Sequence, residues 1–279
     1  MASSDISRIR SNIQSLNILQ ALRGVSRDLA VHQLRLATGK RINEAGDDPA
    51  GLTIASKLDI RNRNLNQVMD NLGEAKNLIG VAEGGLEKMK DVLSEMSSKI
   101  LKAASDSLGT TERQAISAQL TQLTNEINSI ASDTSFNGVS LLASAVTFTF
   151  QTGEGSQTAF TSGNYSATAL AMTQMSGLTS GTVINSSNYS TYLQEVTSAL
   201  ATVNSGLTTV GSLTNRFTVK EDVIAVAITN TEAAYSRIMD ADVAHEQMLV
   251  VRDQILQQTS TSVLAQANVN SQALLALFR

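Results

Sequence analysis

The sequence predicts a mainly α protein: long antiparallel or coiled-coil helices from both termini, with a small β-hairpin-containing region at the centre. Three observations carry this. Apolar residues recur at steps of three and four at both ends of the chain. Proline occurs once in 279 residues, so long helices can run unbroken. Aromatic residues make up 4%, with no Trp, which suits elongated helix packing better than a broad globular core.

The first element is one long amphipathic helix with a stripe of Ile6, Ile9, Ile13, Leu16, Leu19, Leu22, Val25 and Leu29. Gly39 in "TGKRINEAGDDPAG" is the expected stop. Asp48 before Pro49, the sole proline, reads as N-cap followed by the first residue of a new helix. That second helix extends to about Ala104, with Leu52, Ile54, Leu58, Leu65, Val68, Leu72, Leu78, Val81, Leu86, Met89, Leu93 and Met96 as its apolar residues. "SDSLGTTERQ" breaks it, and Thr110 or Thr111 is the expected cap of a third helix. Asn137–Gly138 is a strong turn signal. "VTFTFQTGEGSQTAF" alternates apolar and polar residues around a Gly-containing turn, the pattern of a hairpin. Ser144–Ser190 is otherwise Ser, Thr, Gly and Asn with almost no charge, and is expected to face solvent. Helix resumes near Tyr189 and continues with few breaks to the end.

Composition excludes several functions. The net charge is −4, without the clustered basic face that nucleic acid requires. There is no cysteine, hence no disulfide, zinc thiolate or thiol catalysis. "MASSDISRIRSNIQSLNILQ" lacks the apolar core of a secretory signal, and no apolar run is long enough to span a membrane. Arg8, Arg10, Arg23 and Arg27 on the first arm suggest a membrane-surface helix. Asp5, Asp28 and many amides dilute that charge and favour a protein seam.

One segment looks like a site. "SRIMDADVAHEQ" places Asp242, His245 and Glu246 on one face if it is helical. The face offers at most three ligands. Di-metal bundles use Glu-x-x-His repeats on several helices, whereas here the pattern occurs once and altered. A polar face with an Arg237 ion pair is the simpler expectation. His32 lies on the N-terminal apolar stripe, as a packed histidine would. No strained G-x-S-x-G elbow presents a nucleophile. "GEGSQTAF" has neither the helix nor the following Lys of a phosphate cradle. The chain is expected to be no enzyme and to hold no metal or cofactor.

The terminal stripes need partners. The last segment carries Met248, Val251, Ile255, Val263, Leu264, Leu274, Leu275, Leu277 and Phe278. Pairing it with the first arm buries one seam and leaves apolar surface over. Two classes follow: a self-assembling structural protein, or an exported coiled-coil binding module.

Several motifs in order resemble those of bacterial flagellin. They are "SNIQSLNILQAL", "LATGKRINEAGDDPAGLTIASKL", "AEGGLEKM", "ERQAISAQLTQLTNEINSIASDTSFNGVSLL" and "FQTGEG". "VGSLTNRF", "SRIMDADVAHE", "QILQQTSTSVLAQAN" and "ALLALFR" follow near the far end. The resemblance covers about Ile6–Gly155 and Tyr189–Arg279. It implies a subunit that self-assembles into the flagellar filament for motility, in a short form whose outer variable domain is absent or vestigial. A hook–filament junction protein is the alternative.

The resemblance also implies an arrangement. Residues 1–42 with 236–279 would form an inner coiled-coil core, 43–143 with 189–235 an outer helical core, and 144–188 a short β-rich, Ser/Thr-rich surface segment. Inner-core packing would fall to Ile6, Ile9, Ile13, Leu16, Leu22, Val25, Leu29, Met248, Val251, Ile255, Leu264, Leu274 and Leu277. An export chaperone would cover Ile255, Leu256, Val263, Leu264, Leu274 and Leu275. Other implied partners are the type III flagellar export apparatus and the filament cap and hook-junction proteins. The address is extracellular, in the filament, without a cleaved signal. Asp240 and Asp242 would cap and pair near a helix start. Glu95, Lys99 and Gln119 stand where many members carry the Arg, Leu and Glu read by a Toll-like receptor, so recognition by it is expected to be weak or lost.

Overall fold

The computed structural model describes residues 12–178 and 182–277, with side chains described as far as 269. The order is α1 (Ile13–Thr38), α2 (Pro49–Ala103), α3 (Thr110–Asp133), β1 (Ser135–Phe136), β2 (Val139–Ser140), β3 (Thr147–Gly153), β4 (Ser156–Thr161), α4 (Thr173–Ser176), α5 (Tyr189–Met239) and α6 (Val243–Leu277). The chain divides into two compact units. One is Met1–Asn62 with Asn230–Arg279; the other is Arg63–Thr229.

In the first unit, α1 starts at Asn12, whose side-chain oxygen accepts from the Ser15 backbone N–H at 3.0 Å. It ends at Gly39, left-handed at φ 69°, whose N–H donates to the Arg35 carbonyl. Asp48 caps α2 as expected, accepting from the Gly51 N–H at 2.8 Å. Asp47 accepts from the N–H groups of Asn43 and Glu44, which hold its carboxyl below the usual carboxylate range. The α1–α2 connection is zipped to the α5–α6 break. Arg41 N–H donates to the Met239 carbonyl, Ala241 N–H donates to the Gly39 carbonyl, and the Arg41 guanidinium donates twice to the Ile238 carbonyl. Ile42, Ala55 and Met239 form a small core beneath this joint.

The second unit has a continuous apolar core. Leu72, Ile79, Leu86, Met89, Leu93, Met96 and Ile100 of α2 meet Leu120 and Ile127 of α3 and Val196, Val203 and Phe217 of α5. The Phe150 ring packs edge-on against Phe217. Of the expected α2 stripe, Ile54 and Val81 are exposed. The expected cap of α3 is corrected. The N-cap is Gly109, without a side-chain cap bond, and both threonines lie inside the helix.

Asn137 and Gly138 both take positive φ, 49° and 79°, and join β1 to β2 in a two-residue hairpin. β3 and β4 pair antiparallel with Phe148 opposite Phe160. The solvent-facing expectation for Ser144–Ser190 holds only for part of that segment. Phe160, Leu170, Met172, Met175, Leu178 and Ile184 enter the core. Buried hydroxyls are bonded locally: Thr152 to Thr158 at 3.1 Å, and Ser162 to the Ser144 carbonyl.

Candidate functional site

The terminal helices α1 and α6 pack together antiparallel. On α1 the residues turned to the seam are Ser15, Ile18, Leu22, Val25, Leu29, His32 and Leu36. On α6 they are Glu246, Val250, Asp253, Gln257, Ser260, Leu264 and Ala267. Both rows step alternately by three and four, the period of a coiled-coil seam. The α6 row is largely polar. Asn12 donates to the Ala267 carbonyl, Ser15 bonds Asn268 at 3.1 Å, and Gln257 donates to Ser26 at 3.3 Å.

At the joint-proximal end the seam holds charge. His32 Nδ1 lies 2.5 Å from Glu246 Oε2, and its Nε2 lies 3.8 Å from Asp253 Oδ2. Arg35 reaches Glu246 at 3.4 Å, and Arg252 reaches the other Asp253 oxygen at 2.9 Å. Glu246 and Asp253 are both buried. Among the described residues Asp253 Oδ2 receives no hydrogen bond.

Several other apolar residues of α6 point away from the seam. Met248 is 64% exposed and Ile255 59%, and Val251, Leu256 and Val263 are exposed too. On α1, Leu16 is 60% exposed, and Ile13 and Leu34 are also open. The pair therefore buries charged and polar groups among the aliphatic side chains of its contact and leaves a second set of aliphatic side chains on its outside. Among the described residues no helix is long and apolar enough to cross a membrane.

The described residues include most of the expected packing positions. Leu29 is buried and Leu22, Val25 and Leu264 are half-buried in the seam. Ile13, Leu16, Met248, Val251 and Ile255 face outward. Ile6 and Ile9 lie outside the described residues. Leu274, Leu275 and Leu277 lie on the backbone of α6, beyond the described side chains.

The suspected metal face comes apart. The segment is not one helix: α5 ends at Met239 and α6 begins at Val243. Asp242 accepts from the His245 backbone N–H at 3.0 Å as a cap, His245 is exposed, and Glu246 turns into the seam. His32 is packed in the seam, as a histidine on the stripe would be, and what the sequence does not show is its carboxylate partner, Glu246. Glu246 and Asp253, seven residues apart on the seam row, were the signal that periodicity counted on apolar residues alone passes over. On α2 and α3, Lys99 lies 3.4 Å from Glu95 and donates to the Gln119 side chain at 3.0 Å, so these three residues do form one patch.

Comparison with known proteins follows this architecture closely. The model of the bacterial flagellin N-terminal helical region matches residues 9–147, and that of the C-terminal helical region matches 193–278. A flagellin of Halalkalibacterium halodurans is 32% identical over 88% of this chain and 90% of its own length. The flagellar filament 30.7 kDa core protein of Treponema maltophilum is 29% identical over 96% of this chain and 99% of its own. The solved structure of a candidate flagellar hook-associated protein from Vibrio parahaemolyticus shares the fold. Its TM-score is 0.59 at 14% identity, covering 70% of this chain and all of that one. Two matched helical regions, in order and spanning both terminal arms, make this chain a member of the bacterial flagellin family.

Proposed function

We infer that this protein is a structural subunit that self-assembles into the bacterial flagellar filament. One observation carries the reading beyond family membership. The α1–α6 pair turns Met248, Val251, Ile255, Ile13 and Leu16 to solvent while burying Glu246 and Asp253. Met248, Val251 and Ile255 follow one another by three and four residues on one face of α6, and an exposed aliphatic row of this kind calls for a protein partner. Copies of the same chain supply it, and these residues, with Ile6, Ile9, Leu274 and Leu277, become the packing of the filament's inner core. The filament places the chain outside the cell, reached through flagellar type III export without a cleaved signal.

Before assembly the same apolar face needs cover. An export chaperone lying along Ile255, Leu256, Val263, Leu264, Leu274 and Leu275 would provide it. Cap and hook-junction proteins would meet the subunit at the filament ends. The Glu95–Lys99–Gln119 patch makes the subunit a poor agonist of the Toll-like receptor. Its lysine already serves two neighbours, and a carboxylate stands where an arginine would pair.

The test is electron microscopy and sedimentation of purified protein, with and without short filament seeds. Long, seed-dependent, concentration-dependent filaments are expected. A small fixed oligomer at every concentration would instead identify a coiled-coil binding module.

A further inference from the structure

The second unit carries an apolar row unrelated to the terminal arms. On α5, Val219, Val223 and Val226 are 62%, 63% and 61% exposed, and they follow one another by four and three residues on one helix face. Arg216 continues the row three residues before Val219, exposed and without an ion pair among the described residues. β-branched side chains are poor choices for an exposed helix surface, since they lose rotamer freedom with no packing in return. The row therefore lacks a reason within the chain.

Its own α2 does not cover it. Glu221 of α5 is ion-paired to Lys76 of α2 at 2.8 Å and so marks the side of α5 that meets α2. Val219 and Val223 lie two residues either side of Glu221, hence about 200° round the helix from it.

A second copy offers a matching face. On the exposed side of α2, Glu87, Gly84, Gly80 and Asn77 step by three, four and three, as do Arg216, Val219, Val223 and Val226 in the opposite chain direction. Glu87 is exposed and has no ion pair among the described residues, while neighbouring Lys88 pairs with Asp91. A Cβ at Gly80 or Gly84 would meet nothing within 4 Å in its own chain, so packing within the chain does not require these helix-weakening glycines.

We propose that the Val219–Val223–Val226 ridge of one copy docks along α2 of a second copy. In this contact Arg216 meets Glu87, and the valines lie over Gly84, Gly80 and Asn77. The two helices run antiparallel, as α2 and α5 do within one chain, which holds when successive copies share one axis direction. Ridge and groove are different surfaces, so the contact is heterologous. Repeated without closing into a ring, it gives an open helical polymer. This inference rests on the filament reading above and assigns it a second contact, separate from the terminal arms.

The test measures the critical concentration for seeded polymerisation, with circular dichroism melting of each monomer alongside. Val219→Asn with Val223→Asn is expected to leave the monomer melt in place and raise the critical concentration about tenfold or more, as loss of central apolar anchors does. Gly80→Leu with Gly84→Leu is expected to raise monomer helicity yet block assembly. Arg216→Glu and Glu87→Arg each weaken assembly, and combining them restores it. Wild-type polymerisation with the valine variant assembling at the same critical concentration overturns the ridge and leaves the filament reading standing. So does failure of the combined charge swap to restore assembly. A wild-type protein that never polymerises overturns both.

Discussion

The core of the second unit holds no charged side chain among the described residues, whereas the seam of the terminal pair mixes aliphatic side chains with buried charge. In the former, Leu72, Leu93, Met96 and Phe217 are fully buried, and charge stays at the surface. In the latter, Glu246 and Asp253 are buried while Met248 and Ile255 face water. A core of the first kind stabilises its own fold by removing apolar area from water. A seam of the second kind gains little net energy, because burying charge offsets much of what pairing returns. It does set register and direction, since His32 and Arg35 find their carboxylates in one alignment. The second unit is thus self-sufficient, while the terminal pair is pre-aligned for a partner that buries its outer face.

The largest effect that would sharpen this contrast lies in the core. Phe217→Ala should cost about 3–5 kcal/mol, read as a lowered urea midpoint of the monomer. Ile255→Ala should shift that midpoint by less than about 0.5 kcal/mol while suppressing polymerisation, because its side chain is open in the single chain. If the two variants destabilised the monomer equally, the contrast would be wrong.

The seam gives an intermediate effect. His32→Ala removes the closest partner of buried Glu246 and should loosen the pair by about 1–3 kcal/mol, measured by hydrogen exchange in α1 and α6. His32→Leu with Glu246→Leu and Asp253→Leu should instead hold the pair as tightly as wild type or more so. Slower exchange in the single variant than in the triple one would contradict a charged cluster of low net energy within the seam.

Much of this organisation is legible in the sequence, because helix ends and turns are local chemistry. Gly39, Asp48–Pro49 and Asn137–Gly138 act where they stand. The facing of the terminal stripes is not local. Steps of three and four fix which residues share a face, but not which face meets a helix two hundred residues away. For that reason the sequence leaves open which of the α6 apolar residues meet α1, and it does not place Glu246 in the seam. The central segment misleads for another reason. Its hydroxyls bond to nearby backbone and to each other, so Thr152, Thr158 and Ser162 are buried at little cost although the composition reads as solvated.

The smallest expected effect is at the joint. Asp47 is held below its ordinary value by the backbone N–H groups of Asn43 and Glu44. A carboxyl whose folded value is depressed contributes stability that is present above the unfolded value and is lost as pH falls through the folded one. The Asp47 carboxyl should therefore titrate below the ordinary aspartate range by NMR. Asp47→Asn should remove that part of the acid dependence of the joint and leave the second unit unchanged. A midpoint at or above the ordinary value would break the assignment.

The central claim is that the outward aliphatic face of the terminal pair drives self-assembly. It is tested most directly by seeding wild-type protein and a Val251→Asn, Ile255→Asn variant at equal concentration and weighing the sedimented polymer. The account predicts abundant filaments from the wild type, none from the variant, and equal helical content in the two monomers. Equal polymer mass from both would contradict it.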